Sequence, residues 1–119
     1  MRDKAVYMAL NPVTQNSFTT EVLESEQPVL VDFTASWCPP CRLMNPILEE
    51  LAADRDDLKV VSVDVDSEQE IAVRYGVLGM PTFMLFHQGA VVQSLVGARP
   101  RKRLESELEQ ALVEQPAGR

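Results

Sequence analysis

Two hydrophobic periodicities alternate along the chain. Residues 29 to 33, VLVDF, form a short apolar run with β-branched character, and residues 58 to 65, LKVVSVDV, form another that ends in alternation. Both read as buried strands. Residues 82 to 86, TFMLF, and 90 to 96, AVVQSLV, flank His87-Gln88-Gly89, which predicts an antiparallel hairpin with His87 as an ordinary turn residue. Met44, Ile47, Leu48, Leu51 and Ala52 recur at the spacing that lays one apolar stripe along a helix. Pro46 lies inside that helix and has no N–H to bond back one turn, so a bend near Arg42 is expected. Ile71, Ala72 and Tyr75 predict a shorter helix before Gly76, and Leu104, Leu108, Ala111 and Leu112 a last one. The N-terminal part adds a candidate strand from Ala5 to Leu10 and a helix from about Asn16 to Glu24.

In that order, strands joined through helices imply right-handed parallel crossovers, while the late hairpin imposes an antiparallel pair. The expected architecture is α/β: a mixed central β-sheet flanked by helices on both faces. No internal repeat, low-complexity segment or linker interrupts it, so residues 1–119 read as a single domain with 115–119, QPAGR, as a frayed tail.

Composition narrows the possible partners. The chain has 119 residues, 45% of them apolar, enough for one core and too few for two ordinary domains. Eleven basic against eighteen acidic residues leave a net charge of −7, which argues against nucleic acid and anionic membranes as partners. The opening MRDKAVYMALNPV has the basic residues of a signal peptide, but its apolar stretch, Ala5 to Leu10, is shorter than a secretory core. A soluble, cytoplasmic protein is expected. In a reducing compartment a cysteine pair is more often catalytic or metal-binding than a structural staple.

The chain's two cysteines, Cys38 and Cys41, both lie in TASWCPPCRLMNP. Cys38 follows a predicted strand and opens a predicted helix, where unpaired N–H groups and the helix dipole favour an anion and lower a thiol pKa. Cys41, one turn later, is expected to lie inward and within disulfide reach. An exposed nucleophile with a resolving partner suits thiol–disulfide exchange. Zinc fits poorly, since a structural site takes four ligands and His87 is the only histidine. A purely structural disulfide fits poorly too, because so short a loop holds little entropy. No metal and no bound cofactor are expected beyond the cysteine pair itself.

The segments NSF at 16 to 18, VLVDFTASWCPPC, PILEEL, VDVD, YGVLGMPTFMLF and the late Gly97 together resemble the thioredoxin family from about Asn16 to Leu112. The resemblance implies a thioredoxin fold and protein-disulfide reduction, with Cys38 attacking a client disulfide and Cys41 resolving the mixed disulfide. It implies that Asp32, unexpected in an apolar strand, is buried beneath the cysteines and moves a proton to or from Cys41. Pro81 resembles the family's cis-proline, which leaves the backbone of Met80 free to pair with a substrate strand. Trp37, Gly97 and Ala98 resemble the rest of the substrate groove. The implied partners are protein disulfides and a thioredoxin reductase, with the chain itself a monomer. An oxidase or isomerase of the same fold, or a binding module or chaperone using the groove without redox turnover, are the alternatives.

Three positions depart from the family pattern. A lysine common opposite the Asp is Ser62, which removes a counter-charge and suggests a proton route through water. An aromatic that commonly follows DF is Thr34. The usual Gly-Pro between the cysteines is Pro39-Pro40, two residues without N–H groups, which makes Cys41 N–H the nearest local donor to a Cys38 thiolate. On this reading Pro39 and Pro40 tune the redox couple, and Pro39→Gly is expected to add a donor and favour the dithiol. Arg99, Arg101, Lys102 and Arg103 form a basic cluster beside the groove, either a locally compensated patch or one that steers acidic partners.

Overall fold

In a computed structural model, described over residues 10–114, the elements run β1 (Asn11–Pro12), α1 (Thr19–Leu23, a π-helical segment), β2 (Val29–Thr34), α2 (Pro39–Asp54), β3 (Lys59–Asp64), α3 (Gln69–Arg74), β4 (Thr82–His87), β5 (Ala90–Val96) and α4 (Arg101–Val113). The five strands form one sheet in the order β1-β3-β2-β4-β5. β3 is parallel to both β1 and β2, while β4 is antiparallel to β2 and β5, so the sheet is mixed as expected.

Side-chain alternation along the strands divides the core into two layers. Leu30, Phe83, Leu85 and Leu95 pack with Met44, Leu48 and Leu51 of α2 and Leu104 and Leu108 of α4. Val29, Val31, Phe33, Val61, Val63 and Phe86 pack on the other side with Phe18, Val22 and Ile71. There the rings of Phe18, Tyr75 and Phe86 meet at centroid distances of 5.2 to 5.7 Å, within the range of favourable edge and tilted contacts. Helices therefore cover both faces. Asp32 follows Leu30 at the strand period of two, which turns its carboxyl toward α2.

The hairpin is tighter than the sequence suggests. His87 pairs with Ala90, and only Gln88 and Gly89 turn, both at positive φ (54° and 83°), the signature of a two-residue type I′ turn. Gly76, at φ 67°, follows the end of α3 in the left-handed conformation that glycine adopts most readily there. The candidate strand at Ala5 to Leu10 falls outside the described residues except for Leu10, and the edge strand that pairs with β3 is Asn11–Pro12. The helix expected from Asn16 to Glu24 is confined to Thr19–Leu23. α2 runs through Pro46 as one helix. The tail at 115–119 also lies outside the described residues.

Three cations of the basic cluster, Arg99, Arg101 and Arg103, are paired with carboxylates, while Lys102 is exposed. Arg101 of α4 reaches Asp54 of α2 at 2.7 Å, Glu50 at 3.5 Å and Glu105 at 3.3 Å, and Arg103 reaches Glu107 at 3.5 Å. Arg99 is buried and paired with Glu107 at 2.6 Å. These cations at the start of α4 are placed by pairing across to α2 and along α4, which explains a position that the helix dipole disfavours.

Candidate active site

The site forms where β2 gives way to α2. Ala35 O accepts the Cys38 N–H at 3.3 Å, which brings the chain around at the end of the strand. Cys38 has extended backbone angles and is the N-cap of α2, with Pro39 and Pro40 in the first turn. The first four N–H groups of a helix have no partner within it, so two prolines there forfeit no internal hydrogen bond, and their fixed φ suits the helix. That outweighs the bias against helical geometry that Pro40 places on Pro39.

Cys38 and Cys41 are joined in a disulfide, with Cα atoms 5.3 Å apart. The Cys41 N–H donates to Cys38 Sγ at 3.3 Å, the donor expected from the sequence. The exposed nucleophile is not seen. Cys38 is 3% exposed and Cys41 2%, because Ala35, Val65 and Met80 pack around the pair in this oxidised state. A donor at position 39 would not reach the Cys38 sulfur. An N-cap side chain accepts from the second or third helical N–H. Pro39 occupies the first helical position, so a glycine there would present its N–H away from Cys38 Sγ, and the third-position donor, Cys41, is present with either residue.

Three further segments converge on the disulfide. Trp37 lies largely exposed, its indole Nε1–H donating to Asp66 Oδ2 at 2.7 Å, which pins the ring against the segment after β3. Met80 packs on the cysteines, and the Met80–Pro81 peptide is cis. The Gly97 N–H donates to Pro81 O at 2.8 Å, drawing the turn after β5 against it, with Ala98 exposed beside it. Met80 thus lies against the disulfide, the Gly97–Ala98 turn is bonded to the adjoining buried Pro81, and Trp37 directly precedes Cys38 in the chain. Asp66 was not singled out by the sequence: its place in VDVD reads as solvated alternation, and only the fold brings it to the indole.

Asp32 lies beneath α2, 1% exposed, and its Oδ1 has no hydrogen-bond partner. Burial pushes its carboxyl up to about 7. β2 and β3 register Asp32 directly against Ser62, so the counter-charge that the resemblance led one to seek is replaced by a hydroxyl-bearing residue. Both border a cavity of about 610 Å³, together with Thr34, Ser36, Arg42 and Asn45. The Arg42 guanidinium donates to Ser36 O at 3.2 Å rather than to Asp32. Thr34 thus lines this cavity, where an aromatic would fill space. Among the described residues, no group of three or more His, Cys, Asp or Glu is placed to hold a metal ion, and no helix is long and apolar enough to cross a membrane.

A redox-active cysteine pair at a helix N-terminus, on a mixed sheet covered by helices, defines a dithiol–disulfide oxidoreductase. The family model for thioredoxin matches residues 9–110. Similar proteins include a thioredoxin of Mycolicibacterium smegmatis, 47% identical over 103 residues, covering 84% of this chain and 92% of that one. A thioredoxin of Porphyra purpurea is 41% identical over 102 residues, covering 85% and 95% of the two chains. Thioredoxin 1 of a Nostoc species is 44% identical over 101 residues, covering 84% and 94%. The chain belongs to the thioredoxin family, whose activity is protein-disulfide reduction by dithiol–disulfide exchange, here through Cys38 and Cys41.

Proposed function

We propose that the chain acts as a single-domain, monomeric, cytoplasmic thioredoxin that needs no bound cofactor and is itself reduced by a thioredoxin reductase. The observation that carries the reading is the Cys38–Cys41 disulfide capping α2 above a buried, unpartnered Asp32. In the reduced protein the Cys38 thiolate, favoured by the Cys41 N–H and the helix terminus, attacks a client disulfide. One S–S bond breaks, a mixed disulfide forms, and the first client thiolate leaves. Cys41, deprotonated by Asp32, then attacks Cys38 Sγ. The second client thiolate leaves, two electrons have passed to the client, and the Cys38–Cys41 disulfide closes. Ionised Asp32 takes the Cys41 proton and passes it to solvent through the cavity lined by Ser62 and Thr34. A carboxyl held near 7 is matched to that task at neutral pH.

Substrate lies in the groove framed by Trp37, Met80, Pro81, Gly97 and Ala98, where the Met80 backbone pairs with an extended client segment. Pro39 and Pro40 act on the redox couple only through rigidity, a small effect, because the Cys41 donor is present with either residue at position 39. Pro39→Gly is therefore expected to shift the glutathione equilibrium by less than about threefold, under about 15 mV for a two-electron couple. It should lower stability by about 0.5–1 kcal/mol, since glycine enlarges the unfolded ensemble. Glutathione titration and denaturant unfolding measure the two effects, and a tenfold shift toward the dithiol would restore the donor explanation.

The overall reading is tested by reducing insulin with catalytic amounts of the protein, NADPH and a thioredoxin reductase. Steady NADPH consumption with insulin precipitation is expected. A protein that is not reduced by the reductase, or whose oxidised form drives disulfide formation in reduced clients faster than its dithiol reduces them, would contradict it.

A further inference from the structure

A single buried arginine holds the turn that closes one side of the groove. Arg99 is 8% exposed, and three of its interactions involve different parts of the fold. Nη2 donates to Val96 O at 2.7 Å, Nε to Gly97 O at 3.2 Å, and Nη1 to Glu107 Oε1 at 2.6 Å. A guanidinium is suited to this, since its planar fork offers several donors in fixed directions, whereas an ammonium is a point. Burying the charge is tolerable because Glu107 of α4 neutralises it.

The turn is held from its other side as well. Gly97 is at φ 102°, and its N–H donates to Pro81 O at 2.8 Å. Val96 Cγ1 lies 3.6 Å from the position a Cβ would take on Gly79, so β5 also abuts the strand of chain leading to Met80. The Gly97 peptide is consequently fixed between α4, through Arg99, and the Met80–Pro81 segment.

We propose that Arg99, anchored by Glu107, is a positioning residue for protein substrates: it fixes the carbonyls of Val96 and Gly97 so that the Gly97–Ala98 edge of the groove is preformed when a client segment docks. This rests on the groove reading above. Arg99 touches neither cysteine, and its effect is on docking rather than on sulfur chemistry. A small aromatic disulfide, which reaches Cys38 without a peptide segment to align, should be indifferent to it.

The experiment compares Arg99→Leu and Arg99→Lys with the parent on insulin and on 5,5′-dithiobis-(2-nitrobenzoic acid), with Ala98→Glu as a direct obstruction of the groove. For Arg99→Leu, kcat/KM on insulin should fall about tenfold, mostly through KM, because preorganisation of the binding edge is lost. Its rate with the aromatic disulfide and its glutathione equilibrium should stay within about twofold of the parent. Arg99→Lys keeps the charge opposite Glu107 but not the fork, and should raise the insulin KM about threefold. If Arg99→Leu does not fold, the lysine variant decides: an unchanged insulin KM overturns the proposal. Equal losses on both disulfides, or none on insulin, also overturn it. Ala98→Glu separates the two readings. If it leaves insulin turnover unchanged, the groove assignment fails; if it slows insulin while Arg99→Leu does not, the Arg99 inference alone falls.

Discussion

Cys41→Ser should accumulate mixed disulfides with client proteins, while Cys38→Ser should lose insulin reduction by about a thousandfold or more, as when a covalent nucleophile is removed. Exposure does not provide the distinction, because both sulfurs are buried in the oxidised state. Position does. Cys38 caps α2 and accepts the Cys41 N–H, so its thiolate is the one the helix terminus favours. Cys41 lies inside the first turn, placed to attack Cys38 Sγ and not a client. Without it, the bond between Cys38 and the client has no internal resolving thiol. Non-reducing electrophoresis and mass spectrometry of the trapped adducts identify the bonded residue. A Cys38→Ser protein that retained most of its rate, or adducts found through Cys41, would reverse the assignment.

Asp32→Ala should stabilise the protein at pH 8 and slow it. The sign follows from the raised pKa. Between the ordinary aspartate value of 3.8 and about 7, folded Asp32 holds a proton that the unfolded chain has released. Stability therefore falls as pH climbs through that window and levels off above it. A rise of about three units corresponds to on the order of 4 kcal/mol of lost stability at the alkaline end, offset in the variant by the packing that alanine gives up. Urea unfolding from pH 4 to pH 8 should show the decline in the parent and its absence in Asp32→Ala. Turnover should drop about a hundredfold, within the range that general acid–base catalysis contributes. A variant less stable than its parent at pH 8 would remove the buried-acid role, and one with undiminished turnover would remove the proton-transfer role.

The mixed sheet, the order of its central elements and the cysteine pair were legible because each rests on local pattern. VLVDF and TFMLF are apolar on both faces and can be satisfied only inside a covered sheet, and the stripe from Met44 to Ala52 allows one helix face. The short edge strand was not legible. Asn11–Pro12 is exposed, and its pairing with β3 follows from neither hydrophobicity nor propensity. The π-helical segment at Thr19–Leu23 is likewise shorter than the pattern implies, since burial of Phe18 and Val22 mimics a longer helical stripe.

The sequence by itself determined the chemistry that depends on neighbours in the chain: two thiols one helical turn apart, a helix opening at the first of them, and an acid inside an apolar strand. Tertiary structure decided what depends on distant segments meeting. It set Ser62 against Asp32 beside a cavity, tied Trp37 to Asp66, and buried Cys38 under Met80 and Val65. It also drew Arg99 out of an apparent basic cluster and into the turn at Val96 and Gly97. Charge along a sequence has a sign but no partner. Only folding determines which carboxylate or carbonyl each cation meets, and so which cations remain available at the surface.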